Sequence, residues 1–327
     1  MRYLTVDGAQ RYSKIGLGTW QFGSREWGYG AEYARSGARQ IVRRALELGV
    51  TVFDTAELYG FGRSERILGA ALRAGLAETG THRDAVVVAS KILPVFPVSA
   101  VVQQRGVASA ARLGTGPIDL YQVHAANPVV RDGTTMTGMR RLREAGVIGD
   151  VGVSNYTLRR WQAAERALGA PVRANQVEYS LLARGPADEL IPYAAGHDRL
   201  IIAFSPLAQG ALSGRYGPDR RPSGRVRQTS PRFAPDNLKR MEPLLDVLRE
   251  VGRAHDASPA QAALAWAIHH PNVLAIPGAS SVEQMEHNAA AADIELTADQ
   301  YAALTDAARR YRPFYNPVLG GRLGRRH

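Results

Sequence analysis

Val86-Val87-Val88-Ala89-Ser90-Lys91, Leu120-Tyr121-Gln122-Val123-His124 and Asp150-Val151-Gly152-Val153-Ser154-Asn155 share one design: a short apolar, β-branched run that ends on a polar side chain. Runs of this kind that are apolar on both faces suit strands buried on both sides, as in a parallel sheet. The pattern extends outward in both directions. It predicts strands at Lys14–Leu17, Thr51–Phe53, Ala174–Val177, Leu200–Ala203 and Val273–Ile276, making eight in all. Amphipathic helical patterns lie between them, among them Ala38–Leu48, Ser64–Leu76 and Thr157–Leu168. Eight strands alternating with helices predict an α/β fold, a (β/α)8 TIM barrel.

Spacing supports the barrel. Polar residues follow the runs at Thr19, Asp54, Lys91, His124, Ser154–Asn155, Gln176, Ser205 and Gly278. From Asp54 to Ser205 the successive gaps are 37, 33, 30, 22 and 29 residues, each the size of one βα unit. A longer gap of 73 residues separates Ser205 from Gly278 and holds a Gly/Pro/Arg-rich stretch, Gly214–Pro235, then extra helices within Asn237–His270. Ahead of the barrel, Arg2–Val6 and Ala9–Ser13 flank Asp7–Gly8, a hairpin signal. Thr297–Tyr311 reads as a final helix with Thr297 as N-cap and Pro313 as its stop. No linker-like shift in composition divides the 327 residues, so one domain is expected over 1–327, with a hairpin at 1–13 and a tail at 312–327.

Composition excludes several classes of function. There is no Cys, hence no disulfide, thiolate metal site or Cys nucleophile. No run approaches the ~20 apolar residues of a membrane span, and Met1–Asp7 lacks the apolar core of a signal peptide, which favours the cytoplasm. The net charge of +11 raises the question of a polyanionic partner. Lysine occurs only at Lys14, Lys91 and Lys239, and the arginines are scattered along helices, which points to solvated surface rather than nucleic-acid binding.

The chemistry gathers at three strand ends: Asp54 and Tyr59, then Lys91, then His124. A tyrosine hydroxyl has a reference pKa near 10. A buried cation beside it stabilises the phenolate and pulls that value down. A buried lysine in turn needs a carboxylate, and a neutral His can orient a carbonyl oxygen. Such a set suits protonation of a nascent oxyanion, as in carbonyl reduction.

Six motifs in order, Phe53-Asp54-Thr55-Ala56-Glu57-Leu58-Tyr59-Gly60, Ser90-Lys91, Gln122-Val123-His124, Gly152-Val153-Ser154-Asn155, Asn175-Gln176-Val177-Glu178-Tyr179-Ser180 and Phe204-Ser205-Pro206-Leu207-Ala208-Gln209-Gly210, resemble the aldo-keto reductase superfamily from about Lys14 to Tyr311. The nearest likeness is to bacterial members close to sugar-aldehyde and pyridoxal reductases and potassium-channel β subunits. The resemblance implies a nicotinamide dinucleotide bound without a Rossmann motif, and no strand-linked G-x-G-x-x-G is present. It implies Tyr59 as general acid, Lys91 as its modulator, Asp54 as the lysine's partner and His124 as the residue orienting the carbonyl. Ser154, Asn155 and Gln176 match positions that bind the nicotinamide carboxamide, and Phe204 matches the ring that stacks on the nicotinamide. Ser205, Pro206, Leu207, Gln209 and Gly210 match the pyrophosphate loop, and Gly278, Ser280, Ser281, Gln284, His287 and Asn288 the adenosine end, with Thr19 and Trp20 also against the cofactor. Gly278 and Gln284 stand where many NADPH-preferring members carry Lys and Arg; NADPH remains the expected cofactor, with NADH as the alternative.

The substrate is expected to be a small carbonyl compound held among Trp20, Trp27, Tyr29, Phe96 and Asn127, with Phe22, Leu93, Val95, Ala125 and Phe314–Pro317 nearby. No metal is expected, since no strand end carries an H-x-H pair. Two other functions are conceivable: a channel-β-like, cofactor-binding redox regulator with little turnover, and an aldolase using Lys91 as a Schiff-base nucleophile.

Overall fold

In a computed structural model the protein is described over residues 1–6, 10–23, 36–222 and 225–314. The Asp7–Gly8 turn, Trp27, Tyr29 and the tail from 315 onward lie outside the described residues. Strands β1 (Tyr3–Val6) and β2 (Gln10–Ser13) pair antiparallel, Tyr3 opposite Ser13. Eight parallel strands follow: β3 (Leu17–Gly18), β4 (Val52–Asp54), β5 (Val87–Ile92), β6 (Ile118–Val123), β7 (Ile148–Ser154), β8 (Ala174–Glu178), β9 (Leu200–Phe204) and β10 (Val273–Ala275). They neighbour one another in chain order, and single bridges Ile15–Ala275 and Gly18–Gly278 join the first to the last. The result is the expected (β/α)8 barrel with helices outside.

Strand period explains what the barrel holds. Side chains alternate between the lumen and the helical layer. Val52, Val87, Ala89, Leu120, Ala174, Leu200, Ile202, Leu274 and Ile276 form one buried cluster inside the barrel, together with Leu4, Val6 and Tyr12 of the hairpin. The hairpin therefore plugs the N-terminal end. Counting on by two from these inward positions reaches Asp54 from Val52, Lys91 from Ala89, Gln122 and His124 from Leu120, Gln176 from Ala174, and Phe204 from Ile202. The lower lumen is thus apolar and the upper lumen polar. Room for this layer depends on Gly152 of β7, where a Cβ would sit 2.8 Å from Cγ of Gln122.

The first strand is shorter than the Lys14–Leu17 expected, because Lys14 does something else. Its side chain is buried and its Nζ donates to the carbonyls of Ile268, His270, Pro271 and Val273 at 3.1, 2.5, 3.0 and 3.1 Å. These carbonyls close the helix Pro259–Ala267 and lead into β10, and helix C-termini favour cations. A compact ammonium can serve converging acceptors where a planar guanidinium cannot, which accounts for a lysine in an Arg-rich chain. Lys14→Met should lower stability by about 2 kcal/mol through the orphaned carbonyls, read from urea midpoints. Lys14→Arg should not restore it; full recovery with Arg would refute this account.

The long connection after β9 contains the short helical pieces Ala208–Ser213, Arg225–Gln228 and Pro231–Phe233, then Pro235–Ala254 and Pro259–Ala267. The expected Thr297 cap is present as a capping box with Gln300 at the head of Ala298–Arg310. Among the described residues no helix is long and apolar enough to cross a membrane.

Candidate active site

The polar upper lumen is one connected set. Lys91, fully buried, donates from Nζ to Asp54 Oδ1 at 2.6 Å and to the Thr55 carbonyl at 2.8 Å, and lies 3.4 Å from the Tyr59 hydroxyl. Asp54 Oδ2 accepts from Gln176 Nε2 at 2.8 Å, with Gln122 Nε2 at 3.5 Å. Tyr59 meets the His124 ring edge-on, centroids 5.8 Å apart, and Trp20 at 6.3 Å. Asp54, Tyr59, Lys91 and His124, from three different strand ends, therefore converge.

Electrostatics departs in part from expectation. Burial pushes the Tyr59 phenol above its usual range; Lys91 pulls it down, but burial prevails over the cation. Tyr59 is thus a proton-loaded hydroxyl rather than one already tuned to neutral pH. Lys91 is raised: burial works against its charge, and Asp54 and Tyr59 together outweigh burial. His124 falls to about 3, chiefly by burial and then by repulsion from Lys91. Its ring is neutral at any working pH, and its buried Nδ1 has no hydrogen-bond partner among the described residues.

A linkage follows. Unfolded, His124 takes a proton near pH 6.5; folded, only near 3. Between these values the unfolded chain binds more protons, so His124's contribution to stability is complete above about pH 6.5 and lost as pH falls towards 3. Wild type should lose about 2 kcal/mol more than His124→Gln between pH 7 and pH 4, allowing for partial solvent screening of the ring. Equal losses in urea unfolding at the two pH values would disprove it.

The segment carrying Tyr59 is held tightly. Gly60, Phe61 and Gly62 all have left-handed backbone (φ 58°, 52° and 82°), and a Cβ on Gly60 would sit 2.5 Å from the Gly23 carbonyl. Glu57 accepts from the Leu93 amide and pairs with Arg105 at 2.5 Å. Fully buried Glu65 accepts from Ser90 Oγ at 2.6 Å and Arg112 Nε at 2.5 Å. Ser64 ties Thr55 to Thr19 at 2.9 and 3.0 Å. Sequence reading assigned no role to Gln122, Glu57, Glu65, Arg105 or Arg112. Arg105 and Arg112, two turns apart on one helix, were a visible signal, but their partners lie more than 45 residues away.

The remaining expected residues fall into three groups. Ser154 Oγ and the Asn155 amide both donate to the Gln176 carbonyl at 2.9 Å, and Asn155 (φ 58°) reaches Ser154 Oγ and the His124 carbonyl. Phe204 ends β9, and Ser205, Ala208, Gln209 and Gly210 after it are all left-handed. Pro206 and Leu207 lie between. Such backbone gathers N–H groups into anion-binding concavities and is retained where function requires it. At the other edge, Gln21 lies across Gly278: its Nε2 donates to the Ala279 carbonyl at 2.7 Å, and a Cβ on Gly278 would meet its Oε1 at 2.8 Å. Ser280 donates from N and Oγ to Gln284 Oε1 at 2.8 and 2.7 Å, Ser281 caps the helix Val282–Ala290, and Asn288 holds the Gly278 carbonyl; His287 is exposed on the same helix. These residues fit a dinucleotide: a concavity for phosphates, then a neutral cradle.

Two expected contacts are otherwise engaged. Asn127 donates to the Pro94 carbonyl at 2.7 Å and accepts from Val129 and Val130, so its side chain joins its own loop to the one after β5. Thr19 Oγ1 donates to the Asp54 carbonyl at 2.9 Å. Trp20 and Phe96 sit at the rim, 45% and 69% exposed, with Phe61 (87%) and Val95 (53%), two apolar neighbours of which Phe61 was not anticipated.

A sequence model described as the aldo/keto reductase family matches residues 14–309. An uncharacterized oxidoreductase of Mycobacterium tuberculosis is 58% identical over 313 residues, covering 96% of this chain and 94% of that protein. Methylglyoxal reductase YeaE of Escherichia coli is 32% identical, covering 90% of each. The crystal structure of an aldo/keto reductase from Klebsiella pneumoniae in complex with NADP and acetate is 31% identical and superposes with a TM-score of 0.71 over 96% of each chain.

Proposed function

The chain belongs to the aldo/keto reductase family, and from that premise we propose that it reduces an aldehyde or ketone to the alcohol with NADPH. The observation that carries this is the contact between the Tyr59 hydroxyl and the Lys91–Asp54 pair at the head of the barrel. The nicotinamide would be held by Phe204, Ser154, Asn155 and Gln176, the pyrophosphate by Ser205–Gly210, and the adenosine by Gly278–Asn288; bound there, the cofactor supplies the hydride. Tyr59 and His124 hold the carbonyl oxygen. As negative charge builds on that oxygen, Tyr59 delivers its proton, and Lys91 stabilises the phenolate left behind. His124 contributes a hydrogen bond without charge. Trp20, Phe61 and Phe96 give the entrance an apolar rim, which suits a substrate with an apolar or ring-shaped body.

NADH is a second reading, favoured by one observation: Gln284 Oε1 is already engaged by Ser280, and no Lys or Arg stands between Gly278 and Asn288 to meet a 2′-phosphate. Against the aldolase alternative stands the Lys91–Asp54 contact: a Schiff-base nucleophile must be neutral, and a carboxylate 2.6 Å from Nζ favours the ammonium. The test is steady-state oxidation of NADPH, and separately NADH, with aromatic, sugar and short-chain aldehydes. Turnover is expected, faster at low nucleotide concentration with NADPH. Tight nucleotide binding with no turnover on any carbonyl would overturn the reductase in favour of a redox regulator.

A further inference from the structure

Gln176 is the hub of the upper lumen. Its Nε2 lies 2.8 Å from Asp54 Oδ2. A carboxylate only accepts, so the atom facing it must be the amide NH2, and the amide oxygen is turned the other way. Gln122 Oε1, 3.5 Å from the same Nε2, supports that orientation. The peptide carbonyl of Gln176 meanwhile receives Ser154 Oγ and the Asn155 amide. From Gln176 the chain of contacts continues without a break: Asp54 Oδ1 to Lys91 Nζ at 2.6 Å, and Lys91 Nζ to the Tyr59 hydroxyl at 3.4 Å. Asp54, Lys91, Gln122 and Gln176 are each at most 2% exposed. In such surroundings hydrogen bonds polarise one another, and a change at one end is felt at the other. The charged and titratable groups that face Tyr59 are Lys91 from β5, Asp54 from β4 and neutral His124 after β6.

We propose that Gln176 is a positioning residue that couples recognition of the nicotinamide carboxamide to the proton donor. When the carboxamide N–H docks on the Gln176 amide oxygen, the Gln176 NH2 becomes a stronger donor to Asp54. Asp54 then neutralises Lys91 less, and more of the lysine's charge is directed to the Tyr59 oxygen. Cofactor binding thereby readies the acid. This rests on the cofactor reading above and adds a route from cofactor to Tyr59.

The scarcity of lysine makes the route observable. Only Lys14, Lys91 and Lys239 contribute lysine Nζ signals, so NMR of protein labelled at lysine can follow Lys91 with the other two as internal controls. NADPH is the probe, because its reduced ring is uncharged and acts little through space; adenosine 2′,5′-bisphosphate, which lacks the nicotinamide, is the comparison. In wild type NADPH should shift the Lys91 signal, and the bisphosphate should not. In Gln176→Met, at saturation established by calorimetry, the shift should fall to less than about a third, and turnover at saturating nucleotide should drop by about tenfold. Gln176→Asn, which keeps the amide but shortens its reach, should lose at least about half of the shift and serves if the Met variant does not fold. An undiminished Lys91 shift in these variants, or a merely weakened Kd with turnover at saturation unchanged, would overturn the coupling and leave the cofactor reading standing. Wild type that binds neither NADPH nor NADH would remove both.

Discussion

Tyr59→Phe should lower carbonyl-reducing turnover by about two orders of magnitude or more, the scale of a lost general acid, while the Kd for nucleotide changes by less than about twofold. Only the hydroxyl is deleted. The ring that packs on Trp20 and His124 remains, and Lys91 keeps Asp54 and the Thr55 carbonyl as partners. Folding should therefore be preserved, and the kinetic loss belongs to the proton. Because burial holds the phenol above its usual range, wild-type reduction should show no loss of acid between pH 7 and pH 9. Stopped-flow measurement of nucleotide oxidation under single-turnover conditions separates the chemical step from release. A variant within about fivefold of wild type in that step would remove Tyr59 from the mechanism.

Lys91→Met should be damaging in two separable ways. Among the described residues it deletes the only cation in contact with Asp54, leaving a carboxylate that is 2% exposed with the Gln176 and Gln122 amides. Breaking a buried pair from one side is expected to destabilise by about 3–5 kcal/mol, because an uncompensated charge stays behind. Turnover should fall about as far as in Tyr59→Phe, since the cation that stabilises the phenolate is gone. The double variant Asp54→Asn with Lys91→Met removes both charges, and replacing a buried pair by neutral groups is often close to neutral for stability. It should regain most of the lost stability in urea unfolding and none of the turnover. If the double variant is no more stable than Lys91→Met, the ion pair is not what sustains this layer. If it regains turnover, Lys91 does not serve Tyr59.

Much of this candidate site is legible in the sequence. Asp54, Lys91 and His124 are each the polar end of an apolar run, and period-two alternation sends each into the lumen. Tyr59 needed more: it sits in a loop, and its position depends on the left-handed turn through Gly60 and Gly62 and on the Glu57–Arg105 and Glu65–Arg112 pairs. The spacing of Arg105 and Arg112 marks one helix face but not the carboxylates it meets, because an ion pair between distant residues leaves no periodic trace. Asn127 shows contacts of the same hidden kind. As a polar residue beyond a strand end it was expected at the substrate, and its side chain ties its own loop, through Val129 and Val130, to the Pro94 carbonyl after β5. Lys14 was placed inside a strand on hydrophobic pattern alone, and the carbonyls that claim it come from more than 250 residues away.

Local pattern by itself determined the barrel, the order of its strands and the inward direction of the residues that end them, because apolar periodicity and βα spacing are properties of neighbours along the chain. Only the closed barrel decided that Gln176 presents its NH2 to Asp54, that burial outweighs Lys91 at the Tyr59 phenol, and that Gln21 covers Gly278. Hydrogen-bond direction, desolvation and close approach depend on distances between residues far apart in sequence, and those distances exist only once Ile15 meets Ala275 and the sheet closes.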